Sequence, residues 1–249
     1  MKILICGVGG RMGREVAKLA LEGVRGAEAV AGFDILPVDT REFRTFTDWA
    51  SVDADPDCIV DFSHHTGTQA MLAFAKSRSI PVVLATTGHT EEEEAVISEA
   101  SRHIPIFRSA NMSLGVALLV ELAKTTVKTF PEADIEIIEK HHNRKLDAPS
   151  GTALLIANAI REVRKTAKLM LGRAGNAKRE PDEIGIHAVR MGNIIGEHEV
   201  IVGTDTQTIT LKHEAHSRAL FAEGALAAAA FLIGKEAGLY DMKRMIDQD

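Results

Sequence analysis

The stretch Gly7-Val8-Gly9-Gly10-Arg11-Met12-Gly13 constrains this chain most, because the apolar run Ile3-Leu4-Ile5-Cys6 leads into it and a helical pattern over Arg11–Leu21 leads out. Glycines between a strand and a helix permit a tight turn and close backbone approach to a ligand. The helix start adds unpaired N–H groups and a partial positive charge, which suits a pyrophosphate. The usual G-x-G-x-x-G would place its third glycine at position 12, which is Met; here glycines stand at 7, 10 and 13, with an extra one at 9. A strand–helix turn needs glycines in any case, so the pattern gains weight from its setting. Short apolar runs recur at residues 29–33, 58–62, 82–85 and 104–107, with helical patterns at 66–77 and 91–102 between them. Thr90 and Glu93 make a capping-box pair at the start of the latter. Continuous runs of this length suit strands buried on both faces, and their alternation with helices predicts a parallel sheet. Asp34 closes the second run, where a carboxylate can accept hydrogen bonds from an adenosine ribose; a cap on a strand-end turn is the plainer alternative.

After Asn111 the texture changes. A helix is predicted over 114–130, then a strand with one wet face over 134–140, a helix over 151–164, and strands at 184–189, 198–202 and 208–212. The basic stretch 165–180 reads as an exposed loop, and the Ala-rich run 220–238 as a closing helix with Gly238 as its stop. Five residues between Lys140 and Lys145 can carry positive charge, in a chain whose 29 Lys and Arg against 35 Asp and Glu give −6 overall. That local reversal suits an anionic substrate. Next to it, Pro149-Ser150-Gly151-Thr152 opens a helix, with Ser150 as N-cap and Gly151 and Thr152 exposing backbone donors to a carboxylate. Each piece also has a plain reading as a solvated charge run or an ordinary cap. His141 and His142 lack the i, i+4 spacing of helical zinc sites, so no metal is predicted. None of His64, His65, His89, His103, His187, His198, His213 and His216 is expected to be catalytic.

The acidic balance argues against nucleic acid or a membrane surface as partner, and residues 225–233, the longest apolar stretch, are about half of what a bilayer needs. Cys6 and Cys58 are the only cysteines, which excludes a disulfide framework and predicts inert core thiols. With no secretory pattern after Met1, a soluble, cytoplasmic protein is expected.

Taken with Val60-Asp61-Phe62-Ser63, Thr86-Thr87-Gly88, Ala110-Asn111-Met112-Ser113-Leu114-Gly115, Gly196-Glu197-His198 and Ser217-Arg218, these motifs resemble the 4-hydroxy-tetrahydrodipicolinate reductase (dihydrodipicolinate reductase) family of the diaminopimelate–lysine pathway. The stretch His141-His142-Asn143-Arg144-Lys145-Leu146-Asp147-Ala148-Pro149-Ser150-Gly151-Thr152-Ala153 is its most specific part, and the likeness runs nearly end to end. The resemblance implies an α/β fold: a Rossmann-like dinucleotide-binding domain over 1–113 and 218–249, and a central α+β substrate-binding and tetramerisation domain over 114–217 with a mixed sheet. It implies that Gly7, Val8, Gly9, Gly10, Arg11 and Met12 hold the pyrophosphate and Asp34 the ribose. Ala85, Thr86, Thr87, Ala110, Asn111, Met112 and Ser113 would lie on the nicotinamide side. His141 matches the catalytic acid/base position and Lys145 the proton donor, and His142, Ser150, Gly151 and Thr152 match the substrate-binding positions. The implied reaction reduces a small anionic dicarboxylate, with NADH or NADPH as cofactor, in a homotetramer.

Two departures bear on the cofactor. Ala85 stands where the family often has Gly, and Ile35 where members that favour NADPH have Arg. With Leu36 next in line and Arg11 the nearest cation, NADH or dual use is expected. The rival readings are another nicotinamide-dependent reductase of a small amino or keto acid and a non-catalytic NADH-sensing regulator. An amino-acid semialdehyde dehydrogenase would need a cysteine after Cys58, and a regulator would need a DNA-binding module, for which residues 165–178 are the only candidate.

Overall fold

The computed structural model describes residues 1–247; positions 248 and 249, at the end of the predicted 218–249 segment, lie outside them. Two compact units form, one of Met1–Leu114 with Arg218–Asp249 and one of Gly115–Ser217. The first begins with β1 (Lys2–Cys6), α1 (Arg11–Leu21), β2 (Glu28–Phe33), β3 (Arg44–Phe46), β4 (Cys58–Asp61), α2 (Thr68–Ser77), β5 (Val82–Leu84), α3 (Glu91–Ser101) and β6 (Pro105–Arg108). Then come α4 (Leu114–Thr129), β7 (Asp134–His141), α5 (Gly151–Val163), β8 (Lys168–Leu171), β9 (Glu183–Arg190), β10 (Gly196–Gly203) and β11 (Thr208–Ala215). The chain returns to the first unit for α6 (Ala219–Leu232), β12 (Gly238–Tyr240) and α7 (Met242–Asp247). No helix of the described residues is long and apolar enough to cross a membrane.

The first unit is a seven-stranded sheet in the order β12-β6-β5-β4-β1-β2-β3, every neighbouring pair parallel. Its central strands carry no polar alternation because both faces are covered: Ile3, Leu4, Ile5, Ile59, Val60, Val82, Val83 and Leu84 are all fully buried. Thr90 caps α3 through the Glu93 N–H at 3.3 Å, and the Glu93 carboxylate accepts from the Thr90 N–H at 2.8 Å. Chain order reverses between β1 and β4, so the carboxyl ends of these strands form the switch point at which ligands bind in open α/β sheets.

The second unit is a mixed five-stranded sheet, β11-β10-β7-β9-β8, in which β7 is antiparallel to β10 and parallel to β9. One face of α5, with Ala153, Ile156, Ala157 and Ile160, packs with Ile135, Ile137, Ile184, Ile186, Val200 and Val202 of the sheet. The two-residue period of a strand then decides where the polar residues go. Glu139 and His141 continue the buried series Ile135, Ile137, and His198 and Gly196 continue the series Val202, Val200.

Three expectations need correction. Residues 165–180 are not one exposed loop: residues 168–171 form β8, a parallel partner of β9. The nearby charges are paired, Arg173 with Glu183 and Arg179 with Asp134 at 2.8 Å. Three apolar residues among charges are too few to show a period, and the free edge of β9 supplies the pairing. The closing helix ends at Leu232 rather than 238, because Ile233 takes extended backbone and Gly234 the left-handed conformation (φ +79°). Gly238 opens β12 and pairs beside β6. The helix expected from residue 66 starts at Thr68, after one 3₁₀ turn over His65–Gly67. Strands β3 and β12 are three residues each, below what alternation can register.

Candidate active site

In the first unit the site is made largely of backbone. Gly7 has φ +77°, and a Cβ there would stand 2.6 Å from the Phe62 carbonyl oxygen; one on Gly13 would run into the Gly7 carbonyl. Only glycine lets β1, the loop and α1 come this close. Gly10 opens α1 with no side-chain cap, so the first N–H groups of the helix are left to a ligand. Gly7, Gly9, Gly10 and Asp34 line a cleft of about 750 Å³ at the carboxyl ends of β1, β2 and β4. Asp34 Oδ2 accepts from the Gly9 N–H at 2.9 Å, which ties the acidic residue to the loop and leaves lone pairs for ribose hydroxyls. Trp49, stacked on Phe33 at 3.8 Å, adds an apolar wall, and Ile35 and Leu36 are 80 % and 68 % exposed. Arg14, not Arg11, is the arginine lining this cleft. Helical side chains lean toward the N-terminus, so a residue one turn in reaches back over the loop.

Further along the same sheet edge, Ala85 and Thr86 follow β5, and residues 109–113 follow β6. Ala85, Thr86, Met112 and Ser113 are buried, while Thr87 and Ala110 are exposed. Ser109 and Asn111 brace the second segment, through Ser109 Oγ to the Asn111 carbonyl at 2.7 Å and the Ser113 N–H to Asn111 Oδ1 at 2.9 Å. Gly224 of α6 packs directly on the Met112 carbonyl. Thr86 Oγ1 and Asp61 Oδ2 are buried without a hydrogen-bond partner among the described residues. Buried polar atoms left unpaired are costly, so orphans beside a glycine cradle fit a site shaped for a polar ligand such as a nicotinamide dinucleotide.

In the second unit the site is made of side chains. Glu139 is 0 % exposed and lies at the centre. Arg190 Nη1 and Nη2 donate to its Oε2 and Oε1 at 2.8 and 2.7 Å, the Ser150 N–H reaches Oε1 at 2.9 Å, and His141 Nδ1 stands 2.6 Å from Oε2. Strand register produces this meeting, since His141 is paired with Arg190 across β9 and Glu139 with His198 across β10. Burial lowers the pKa of His141, the Glu139 carboxylate raises it, and the balance stays below the ordinary histidine value. Lys145 Nζ is 2.8 Å from Asp147 Oδ1, and this pair holds the Asp147 carboxyl below its usual range. Cys58 is pushed up to about 12 by burial, and Cys6 is raised by burial in the same way, so neither is a thiolate.

Of the residues singled out in the basic run, His141 and Lys145 come together with the start of α5, while Lys140 is paired with Glu197 at 2.9 Å and Arg144 is bonded to Asn193 at 2.5 Å. His142 donates its N–H to the Ile194 carbonyl at 2.7 Å, and its buried Nδ1 has no hydrogen-bond partner among the described residues. Gly151 is exposed and Thr152 half-buried at the helix start. Ser150 is spent internally: its N–H serves Glu139, and its Oγ caps the Ala153 N–H at 3.2 Å and stands 3.2 Å from His198 Nε2. Sequence reasoning missed Glu139, Arg190 and His198. His198 is 3 % exposed with its ring centre 5.2 Å from that of His141, and burial drives its pKa down to about 4, so it is neutral. The available signal was the two-residue period through 135, 137, 139 and 141, which puts Glu139 on the face of His141.

Residues 1–112 match the family model described as dihydrodipicolinate reductase, N-terminus, and residues 115–246 the one described as dihydrodipicolinate reductase, C-terminus. The chain is 48 % identical over 250 residues to the 4-hydroxy-tetrahydrodipicolinate reductase of Caldanaerobacter subterraneus subsp. tengcongensis, covering 99 % of this chain and 98 % of the relative. It is 41 % identical over 249 residues to the enzyme of the same name from Clostridium tetani, covering 99 % and 97 %. A solved structure of dipicolinate-bound dihydrodipicolinate reductase from Paenisporosarcina sp. TG-14 superposes with a TM-score of 0.81 at 26 % identity, over 97 % of both chains. Joined to a Rossmann-like parallel sheet and the clamped Glu139–His141 pair, these likenesses establish that the chain belongs to the dihydrodipicolinate reductase family.

Proposed function

We propose that this protein reduces (2S,4S)-4-hydroxy-2,3,4,5-tetrahydrodipicolinate to 2,3,4,5-tetrahydrodipicolinate with loss of water, using a reduced nicotinamide dinucleotide, in diaminopimelate and lysine biosynthesis. The observation that carries it is one chain holding both a glycine cradle with orphaned polar atoms beside it and a buried Glu139–His141 pair at a helix start. The backbone of Gly7, Val8, Gly9, Gly10, Arg11 and Met12 receives the pyrophosphate, and Asp34 the adenosine ribose. Ala85, Thr86 and Thr87 with Ala110, Asn111, Met112 and Ser113 shape the nicotinamide side. When bound, the cofactor supplies the hydride. Lys145 and His141 stand for the charge that develops on the ring and for its protonation. His142, Gly151 and Thr152 hold the substrate carboxylates, and Ser150 acts as the cap that orients the helix start toward them.

The apolar pair Ile35-Leu36 after Asp34 favours NADH, while Arg14 on the cleft wall keeps NADPH usable. The first unit is the dinucleotide-binding domain and the second the substrate-binding and tetramerisation domain of a cytoplasmic homotetramer. The test is loss of reduced cofactor at 340 nm, with the labile substrate made in situ from pyruvate and aspartate semialdehyde by its synthase. Substrate-dependent oxidation is expected with both cofactors, at higher kcat/KM for NADH. Cofactor binding without turnover would remove the His141–Thr152 assignment and leave the glycine loop standing.

A further inference from the structure

The two ring nitrogens of His141 have different surroundings. Nδ1 faces Glu139, while Nε2 has no hydrogen-bond partner among the described residues and looks toward Gly196, where a Cβ would stand 3.2 Å from it. Glu139 receives two guanidinium N–H groups from Arg190, itself braced by the Val189 and Asp147 carbonyls, and the backbone N–H of Ser150. Burial works to raise the Glu139 pKa, but these bonds together prevail and keep the carboxyl below its ordinary value. An ionised carboxylate only accepts hydrogen bonds. Its fourth contact therefore requires a proton on Nδ1 of the imidazole.

We propose that Glu139, clamped by Arg190 and Ser150, is a positioning residue that fixes His141 as the Nδ1–H tautomer, so that the neutral ring offers an accepting Nε2 and leaves the proton to Lys145, the donor position that the family resemblance already implies. This rests on the reductase reading. The Lys145 ammonium transfers one proton to the ring carbon that carries the charge after hydride addition, is left as an amine, and regains a proton from water. His141 meanwhile accepts a hydrogen bond from an N–H or O–H of the bound ring. A neutral ring with its only proton held by Glu139 has none to donate at Nε2. The absence of a Cβ at Gly196 keeps that nitrogen open.

The charged and titratable groups facing His141 are Glu139 on its own strand, Arg190 from β9, His198 from β10, and Lys145 from the loop that follows β7. Glu139 alone among them favours the imidazolium. Glu139→Gln therefore moves imidazolium formation to lower pH. Ser150 keeps the amide oxygen on its own side, which turns the amide NH₂ toward Nδ1 and selects the opposite tautomer.

The experiment is long-range ¹H–¹⁵N correlation of the imidazole nitrogens in ¹⁵N-histidine-labelled protein above pH 7.5, with His141 assigned by its loss in His141→Gln. The wild-type protein should show Nδ1 carrying the proton and Nε2 bare. In Glu139→Gln the two should exchange, with kcat down by roughly tenfold to 10⁴-fold, the range seen when the orienter of a histidine is removed. The KM for the cofactor should hold, the acid limb of the kcat profile should move to lower pH, and Glu139→Asp should restore the tautomer and part of the rate. A wild-type His141 protonated at Nε2 overturns the proposal without any variant, whether or not Glu139→Gln folds. So does a folded Glu139→Gln protein whose tautomer and pH profile are those of wild type. The Nδ1–H tautomer in a protein that oxidises no cofactor with substrate would sink the reductase reading and leave the hold of Glu139 on the ring intact.

Discussion

The two units carry residue clusters built from different materials. In the first unit the groups are the main-chain N–H donors that open α1, behind a glycine loop whose own N–H groups are spent on Phe33, Asp34 and Gly7 and which is held in place because a Cβ at Gly7 or Gly13 would strike a carbonyl. In the second they are side chains of Glu139, His141, Arg190 and His198 on three strands, held in place by register and by each other. A backbone site suits a ligand whose charged group is the same in every cofactor molecule. A side-chain site suits chemistry, where protonation states must be set by neighbours.

If that contrast is right, substitutions in the second unit should lower turnover while leaving cofactor affinity alone, and those in the first should do the reverse. The largest effect is expected for Lys145→Ala, a loss of about 10²–10⁴ in kcat with NADH affinity nearly unchanged, the scale of a missing general acid. Steady-state rates and cofactor titration by fluorescence check both halves, and unchanged turnover would take Lys145 out of the mechanism. His141→Gln should cost about 10² in kcat, again with cofactor binding intact. Loss of binding instead of rate would erase the distinction between the units.

Gly7→Ala tests the other side. Its left-handed backbone costs a Cβ-bearing residue about 1–2 kcal/mol, and the contact with the Phe62 carbonyl adds to that. The expected result is cofactor Kd raised about tenfold and a lower Tm, with kcat at saturating cofactor near wild type. The smallest effect is expected for Ile35→Arg. An exposed cation beside Asp34 should raise kcat/KM for NADPH relative to NADH by a few-fold, about the worth of a surface ion pair. The ratio of the two kcat/KM values decides it, and no change would mean that Arg14 already meets the 2′-phosphate.

Much of the first unit was legible because its signals are local. A glycine loop between a strand and a helix, four- and five-residue apolar runs, and the Thr90–Glu93 capping box are each written within a few consecutive residues. The second unit was less so. Glu139 reads as one more polar residue of an alternating strand until β9 lays Arg190 beside it, 51 residues away. The basic run 140–145 suggested an open cluster of cations, yet Lys140 is bound to Glu197, and Ser150 is consumed by Glu139, Ala153 and His198. Residues 168–171 pass for loop because an edge strand takes its hydrogen bonds from a neighbour that local pattern does not name.

Sequence alone settles the alternating architecture and the cradle at residues 7–13. These follow from rules that act over one turn of helix or one step of pleat: steric freedom at glycine, and side-chain periods of 3.6 and 2.0. Only tertiary structure decides which cations remain for a substrate, which histidine is neutral, and which carboxylate orients His141. Those outcomes depend on burial and on partners brought from distant strands, and a buried charge takes its state from whatever donors the fold places around it.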